Sequence, residues 1–187
     1  MKYWYDTEFI EDGKTIDLIS IGMVAEDGRE YYAQSVEFDP DKASQWVKDH
    51  VLTQLIACSD APHGQMHGLY QHRHGQCSRG CPWRTREEVK QNILAFMNVD
   101  KYTYGKPELW GYYSAYDHVA FAQLFGTMMD LPPGYPMYTR DIKQWCDQLG
   151  NPPLPEQEKG EHHALLDARW NKISWEFLKG MEREVPV

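Results

Sequence analysis

Apolar and polar positions alternate over the first part of the chain. "KYWYDTEFI" (2–10) and "DLISIGMVA" (17–25) carry aromatic and β-branched residues in strand-like patterns, with the turn signal "EDGK" between them. "EYYAQSVEF" (30–38) predicts a third strand, entered through Asp27–Gly28, a dipeptide that favours a tight hairpin. Three strands joined this way predict an antiparallel meander. The period then lengthens. In "DPDKASQWVKDHVLTQL" (39–55), Trp46, Val47, Val51 and Leu55 recur at helical spacing, and Asp39 or Asp41 is placed to cap a helix. "TREEVKQNILAFM" (85–97) predicts another helix, with Thr85 and Glu88 as a capping box. "ELWGYY" (108–113) is a short strand, and "SAYDHVAFAQLFG" (114–126) a helix with Ser114 as N-cap and Gly126 as stop. "MYTRDI" (137–142) is a short strand or loop leading into "KQWCDQLG" (143–150). The Pro-rich "NPPLPEQEKG" (151–160) precedes a last helix, "HALLDARWNKISWEFLKGM" (163–181). A meander followed by alternating helix and strand predicts an α/β fold with a mixed sheet flanked by helices.

Asp6 and Glu8 break the apolar pattern of the first strand. Residues i and i+2 share a face, so two like charges stand together among Trp4, Tyr5, Phe9 and Ile10. Burial makes that repulsion worse. Asp117 falls in the first turns of a helix after a strand, and Asp167 lies on the last helix, five residues after His162. Each has an ordinary reading: acids on an edge strand, an acid favoured by a helix dipole, a carboxylate paired with Arg169. Together they offer oxygen ligands for hard cations such as Mg²⁺ or Mn²⁺. A pair of such ions can clamp the attacking and leaving oxygens of a phosphoryl transfer. A neutral imidazole can take the attacking water's proton near neutral pH. His162 and His163 both compete for that task. On an unbroken helix His163 would share a face with Asp167, and His162 would not.

Three segments, "YDTEF" (5–9), "YYSAYDHVAFAQLFG" (112–126) and "HHALLDA" (162–168), resemble the motifs of the DEDDh 3′→5′ exonucleases. Within that family, "DTEFIEDGKTIDLISIGMV", "PWRTREEV", "YTRDIKQW" and "HHALLDA" are most similar to the group of the mycobacterial polyadenylate-specific 3′-exoribonuclease AS and its phage and bacterial relatives. The resemblance runs from residue 3 to about residue 178, outside much of 58–81. It implies a ribonuclease-H-like fold and a single exonuclease domain over 1–187. It implies two Mg²⁺ (or Mn²⁺) ions held by Asp6, Glu8, Asp117 and Asp167, with His162 as general base on a loop before the last helix. Carried further, it places Ser114, Tyr116 and Arg140 near the substrate, and the positions of Thr7 and Phe9 beside the two acids add them as candidates. Thr7 would present backbone to the terminal nucleotide, and Glu8 would accept from its sugar hydroxyl. Phe9 would pack on the terminal base or in the core, and Tyr116 would hold the nucleotide or simply pack. Arg140 would meet phosphate or pair with Asp141 or another nearby acid. The implied activity is release of 5′-mononucleotides from single-stranded RNA 3′ ends. A DNA-directed exonuclease of the same fold, or a catalytically silent nucleic-acid- or protein-binding module, are the other readings.

Residues 58–81 stand apart. Cys58, His63, His67, His72, His74, Cys77 and Cys81 include spacings compatible with a structural Zn²⁺ site. A surface loop is the other reading and the one the sequence favours. Arg73, Arg79, Arg84 and Arg86 add positive charge there that can guide an RNA strand. The formal net charge of −9 argues against a simple nucleic-acid coat but does not exclude an enzyme whose acids bind cations. No apolar run is long enough for a membrane span and no secretory signal is evident, so a cytoplasmic, membrane-free setting is expected. The seven Trp and twelve Tyr residues supply either core or the contact of a homodimer.

Overall fold

The computed structural model describes residues 1–57, 80–97, 106–157 and 160–184. Six strands form one mixed sheet: β1 (Lys2–Glu11), β2 (Ile16–Ala25), β3 (Glu30–Ser35), β4 (Trp83–Arg84), β5 (Glu108–Gly111) and β6 (Arg140–Asp141). Their spatial order is β4-β3-β2-β1-β5-β6. β1, β2 and β3 are the antiparallel meander, whereas β5 runs parallel to β1, β6 to β5 and β4 to β3. The described helices are α1 (Gln45–His50), α2 (Arg86–Met97), α3 (Ala115–Gln123), α4 (Ile142–Gln148) and α5 (Ala164–Glu184). This is the α/β mixed sheet with flanking helices that the patterning predicts, and it is consistent with the ribonuclease-H-like fold that the resemblance implies. Among the described residues, no helix is long and apolar enough to cross a membrane.

Alternation along β1 divides the two faces. Tyr3 and Tyr5 pack with Val89 and Ile93 of α2 and Phe121 of α3. Trp4 points the other way, into a cluster with Ile142 and Cys146 of α4 and Leu178 of α5. Asp6 and Glu8 share that second parity. The β1–β2 register slips between Glu8, opposite Ser20, and Phe9, opposite Leu18. The extra residue, Ile19, is a bulge that reverses the parity of β2. Leu18 therefore joins Ile21 and Met23 in the first core, while Ile19 packs with Ile10, Phe38 and Trp83 in a third cluster. Fully burying one such side chain contributes about 1.5–3 kcal/mol, so the register around the acids is strongly fixed.

Several boundaries differ from the predictions. β3 stops at Ser35 rather than residue 38. The helix expected from Asp39 or Asp41 is divided into a 3-10 turn (Pro40–Lys42), α1, and a second 3-10 turn (Leu52–Gln54). Asp39 caps only the first turn; Ala43 is extended, and Ser44 starts α1 afresh by accepting from Val47 N–H at 3.2 Å. The Thr85–Glu88 capping box is present, with bonds of 2.8 and 3.1 Å. In the segment 58–81, only Gly80 and Cys81 are described, and Cys81 is buried beside Trp83. The other six zinc candidates, with Arg73 and Arg79, lie outside the described residues. Arg86 is ion-paired with Asp17, and Arg84 donates to the carbonyl of Trp83.

Candidate active site

β5 pairs with β1 only along Lys2–Trp4. Beyond Trp4, the edge of β1 facing β5 is open, and its main-chain groups need other partners. Two side chains supply them. Asn171 of α5 donates through Nδ2 to the Tyr5 carbonyl at 2.9 Å. Asp117 of α3 accepts, on one carboxylate oxygen, from Thr7 N–H at 2.8 Å and Thr7 Oγ1 at 2.7 Å. Both helices are thereby fastened on either side of Asp6, outside the carboxyl end of β5. Open α/β sheets bind ligands at such ends.

Gly22, opposite Asp6 on β2, lets α5 come close. A Cβ there would lie 2.3 Å from the Ala164 carbonyl group and from Leu165 N. With that side chain absent, the first turns of α5 sit on the sheet and Asp167 reaches the β1 acids. One oxygen each from Asp6, Glu8 and Asp167 lie within 4.8 Å of one another. At that spacing, two full charges repel by about 3 kcal/mol for an effective dielectric near 20. Burial, then the charges of Asp117, Glu8 and Asp167, pushes Asp6 well above the usual carboxylate range. Burial, then Asp167 and Asp117, pushes Glu8 up to about 9. Burial raises Asp117 to about 6 against its bonds from Thr7. Asp167 is raised by burial too, but less freely, because Gln157 and His162 N–H stabilise its charged form. No ion pair among the described residues reaches any of the four acids. Protons or cations must compensate them, and an all-carboxylate donor set suits Mg²⁺ or Mn²⁺.

The two histidines are sorted by the loop before α5. His162 has φ +67°, a left-handed conformation uncommon for a non-glycine residue. Its N–H donates to Asp167 Oδ2 at 2.9 Å, and Gln157 Nε2 donates to Asp167 Oδ1 at 2.6 Å. His162 lines an open cleft of about 600 Å³ with Asp6, Asp167, Gln157, Tyr112 and Trp170. His163 instead stacks on Tyr32 of β3, with ring centroids 4.5 Å apart. Burial holds His163 below the usual imidazole range.

A family model described as the 3′-5′ exoribonuclease Rv2179c-like domain matches residues 1–178. The chain belongs to this family. Two curated relatives are 45% identical to it over 169 residues, which is 90% of this chain and 88% of theirs. They are 3′-5′ exoribonuclease MT2234.1 and 3′-5′ exoribonuclease Rv2179c, from two strains of Mycobacterium tuberculosis, CDC 1551 / Oshkosh and ATCC 25618 / H37Rv. The matched span includes all four acids and both histidines.

The remaining sequence candidates take several positions in this family member. Phe9, half-buried and outside the core clusters, stacks on the exposed Tyr116 with 5.9 Å between centroids. Thr7 is buried, and its N–H is engaged by Asp117 rather than left for a nucleotide. Ser114 is also buried; its hydroxyl makes no cap bond, and both its N–H (2.8 Å) and Oγ (3.3 Å) donate to Asp141. Asp141 also caps α4 through Gln144 N–H, so it ties the start of α3 to the sheet edge. Arg140 lies at that edge over the Trp110 ring and pairs with Glu108 at 3.4 Å.

Three residues of this constellation escaped the sequence reading, Gly22, Gln157 and Asn171, and Asp141 was expected only as a partner for Arg140. Only Gly22 carried a signal, since glycine inside a strand marks close backbone approach. Replacing Thr7 by Val removes one of two bonds to Asp117 and keeps the N–H. The expected loss is about 1 kcal/mol of stability by denaturant titration, with turnover lowered but retained.

Proposed function

We propose that the chain is a 3′→5′ exoribonuclease of the DEDDh type, dependent on two divalent cations. The reading rests on one observation above the rest: three carboxylates from β1 and α5 converge within 4.8 Å, with no ion pair to a basic side chain among the described residues. The family membership and the names of the relatives support the RNA-directed, 3′-to-5′ part. Asp6, Glu8, Asp117 and Asp167 would hold Mg²⁺ or Mn²⁺. When bound, the cations supply Lewis-acid polarisation of the scissile phosphate and offset its developing charge.

The chain's own groups do the rest. His162, in the cleft beside Asp6 and Asp167, takes the proton of the attacking water on an imidazole nitrogen. The water oxygen forms its bond to phosphorus as the P–O3′ bond breaks. The departing 3′ oxygen of the shortened strand gains a proton, and a nucleoside 5′-monophosphate is released. The Phe9–Tyr116 pair offers an aromatic surface on which a terminal base can stack.

A 5′-labelled single-stranded RNA incubated with Mg²⁺ or Mn²⁺ is expected to shorten one nucleotide at a time, releasing 5′-monophosphates. EDTA should abolish the reaction, and a matched DNA strand should be degraded more slowly. Internal cuts, or unchanged degradation in EDTA, contradict the proposal. Preference for DNA would replace the substrate assignment, and an intact strand despite bound metal would leave a binding module.

A further inference from the structure

The ring of His162 poses a problem of orientation. Its backbone is held in a left-handed conformation through the bond to Asp167. Among the described residues, its imidazole has no hydrogen-bond partner, and its ring neighbours are Trp46 and His50. Both come from α1, far away in sequence. Trp46 meets His162 edge to face at 4.8 Å, a favourable aromatic geometry. His50, one turn on, stacks behind Trp46 at 4.7 Å with only 14° between the planes.

The arrangement is built rather than incidental. His50 Nδ1 lies 2.9 Å from the Trp46 carbonyl. A carbonyl only accepts, so Nδ1 carries the proton and the His50 ring is fixed against the indole. α1 itself is anchored through Val51, buried with Ile10 and Ile19 of the sheet, and through Val47. Yet Trp46 is 51% exposed. A tryptophan left half in water does little for the core, and here its ring contacts are the two histidines.

We propose that Trp46, backed by His50, is a positioning residue that holds the imidazole of His162 in its working orientation. The assignment rests on the reading of His162 as general base. It predicts a defect in kcat rather than KM, because Trp46 does not line the cleft.

Steady-state kinetics on an oligoribonucleotide, with single-turnover rates for crippled variants, test this. Trp46→Ala should lower kcat about 10–100-fold, by analogy with the loss seen when a partner that orients a metal-ligating side chain is removed. KM should stay within about twofold and the melting temperature unchanged. Trp46→Phe should restore most of the rate, because an aromatic edge contact survives. His162→Ala should cost about 10²–10⁴-fold, and adding Trp46→Ala to it should cost nothing further. Wild-type kcat in His162→Ala overturns the base assignment itself. A crippled His162→Ala overturns the positioning role alone if Trp46→Ala keeps wild-type kcat, raises only KM, or loses as much in the double variant.

Discussion

Asp6→Asn is expected to cripple exonuclease turnover and to make the metal-free protein more stable. The two effects share one cause. Asp6 stands within 4.8 Å of both Glu8 and Asp167, and its ionised form is disfavoured by burial first and by neighbouring carboxylates second. Asparagine keeps the shape and removes one charge, so the repulsion relaxes. At pH 8 without metal the gain should be about 1–2 kcal/mol, a part of the repulsion of about 3 kcal/mol that two charges exert at this spacing for an effective dielectric near 20. That corresponds to about 2–8 °C in melting temperature for a chain of this size. Loss of a cation ligand should lower turnover by about 10²–10⁴-fold, several kcal/mol of transition-state stabilisation.

The pH dependence follows from the same carboxyls. Glu8 is raised from 4.5 to about 9, so the folded state binds a proton that the unfolded state releases. Its stabilising contribution is complete below about pH 4.5 and is lost as pH rises through about 9. His118 and His163, lowered by burial, act in the opposite sense, but their effect is complete once the unfolded imidazole is neutral. Acids held low by hydrogen bonds, such as Asp12 and Asp130, are finished by about pH 5. Between about pH 7.5 and 9 the carboxyl cluster therefore dominates. Melting of the EDTA-treated protein should fall across this window with a slope approaching about 1.4 kcal/mol per pH unit per proton. Saturating Mn²⁺ should reverse the trend, because cations displace protons more easily as pH rises. A flat metal-free profile, or an Asp6→Asn variant no more stable than its parent, sinks the electrostatic account of the site.

The meander was legible because its information is local, whereas β4, only Trp83–Arg84, shows no pattern of its own and was not predicted. Alternation marks β1, β2 and β3, and the Asp27–Gly28 turn joins two of them without reference to the rest of the chain. The 39–55 segment misled because helical spacing of Trp46, Val47 and Val51 survives an interruption. Ser44 competes with Asp39 as a cap, and the extended Ala43 between them divides one expected helix into three short pieces. At the site, Asp6 and Glu8 advertise themselves by their i, i+2 spacing in an apolar strand. What orders them does not. Asn171, Gln157 and Asp141 act on a strand carbonyl, a helix carboxylate and a helix N-terminus that are distant in sequence or reached by a folded loop. An Asn or Gln on a helix or Pro-rich loop looks like any solvated amide until the fold supplies its partner. Thr7 shows the same limit: nothing in its place between two acids announces that the open edge of β1 gives its N–H to Asp117.

Gly22→Ala should damage both the fold and the site with a single methyl. The backbone of Gly22 would accept alanine, for its φ is outside the left-handed region. The obstacle is packing. The new Cβ would meet Ala164 C and O and Leu165 N, each at 2.3 Å, all main-chain atoms of the first turn of α5. No side-chain rotation relieves such a contact, so either α5 or β2 must move by about 1 Å or more to reach ordinary van der Waals distance. Asp167 rides on that turn, and Asn171 one turn later grips the Tyr5 carbonyl. Overpacking of this kind costs about 1–3 kcal/mol, and about 1 Å of misplacement costs about 10²-fold in rate. The expected result is a folded protein with a lower melting temperature, a rate reduced about a hundredfold and a weakened stabilisation by Mn²⁺. Gly180→Ala, later on the same helix with nothing within 4 Å of its added Cβ, should be neutral or stabilising by about 0.5–1 kcal/mol. Equal behaviour of the two variants would mean that the approach of α5 to the sheet does not set the position of Asp167.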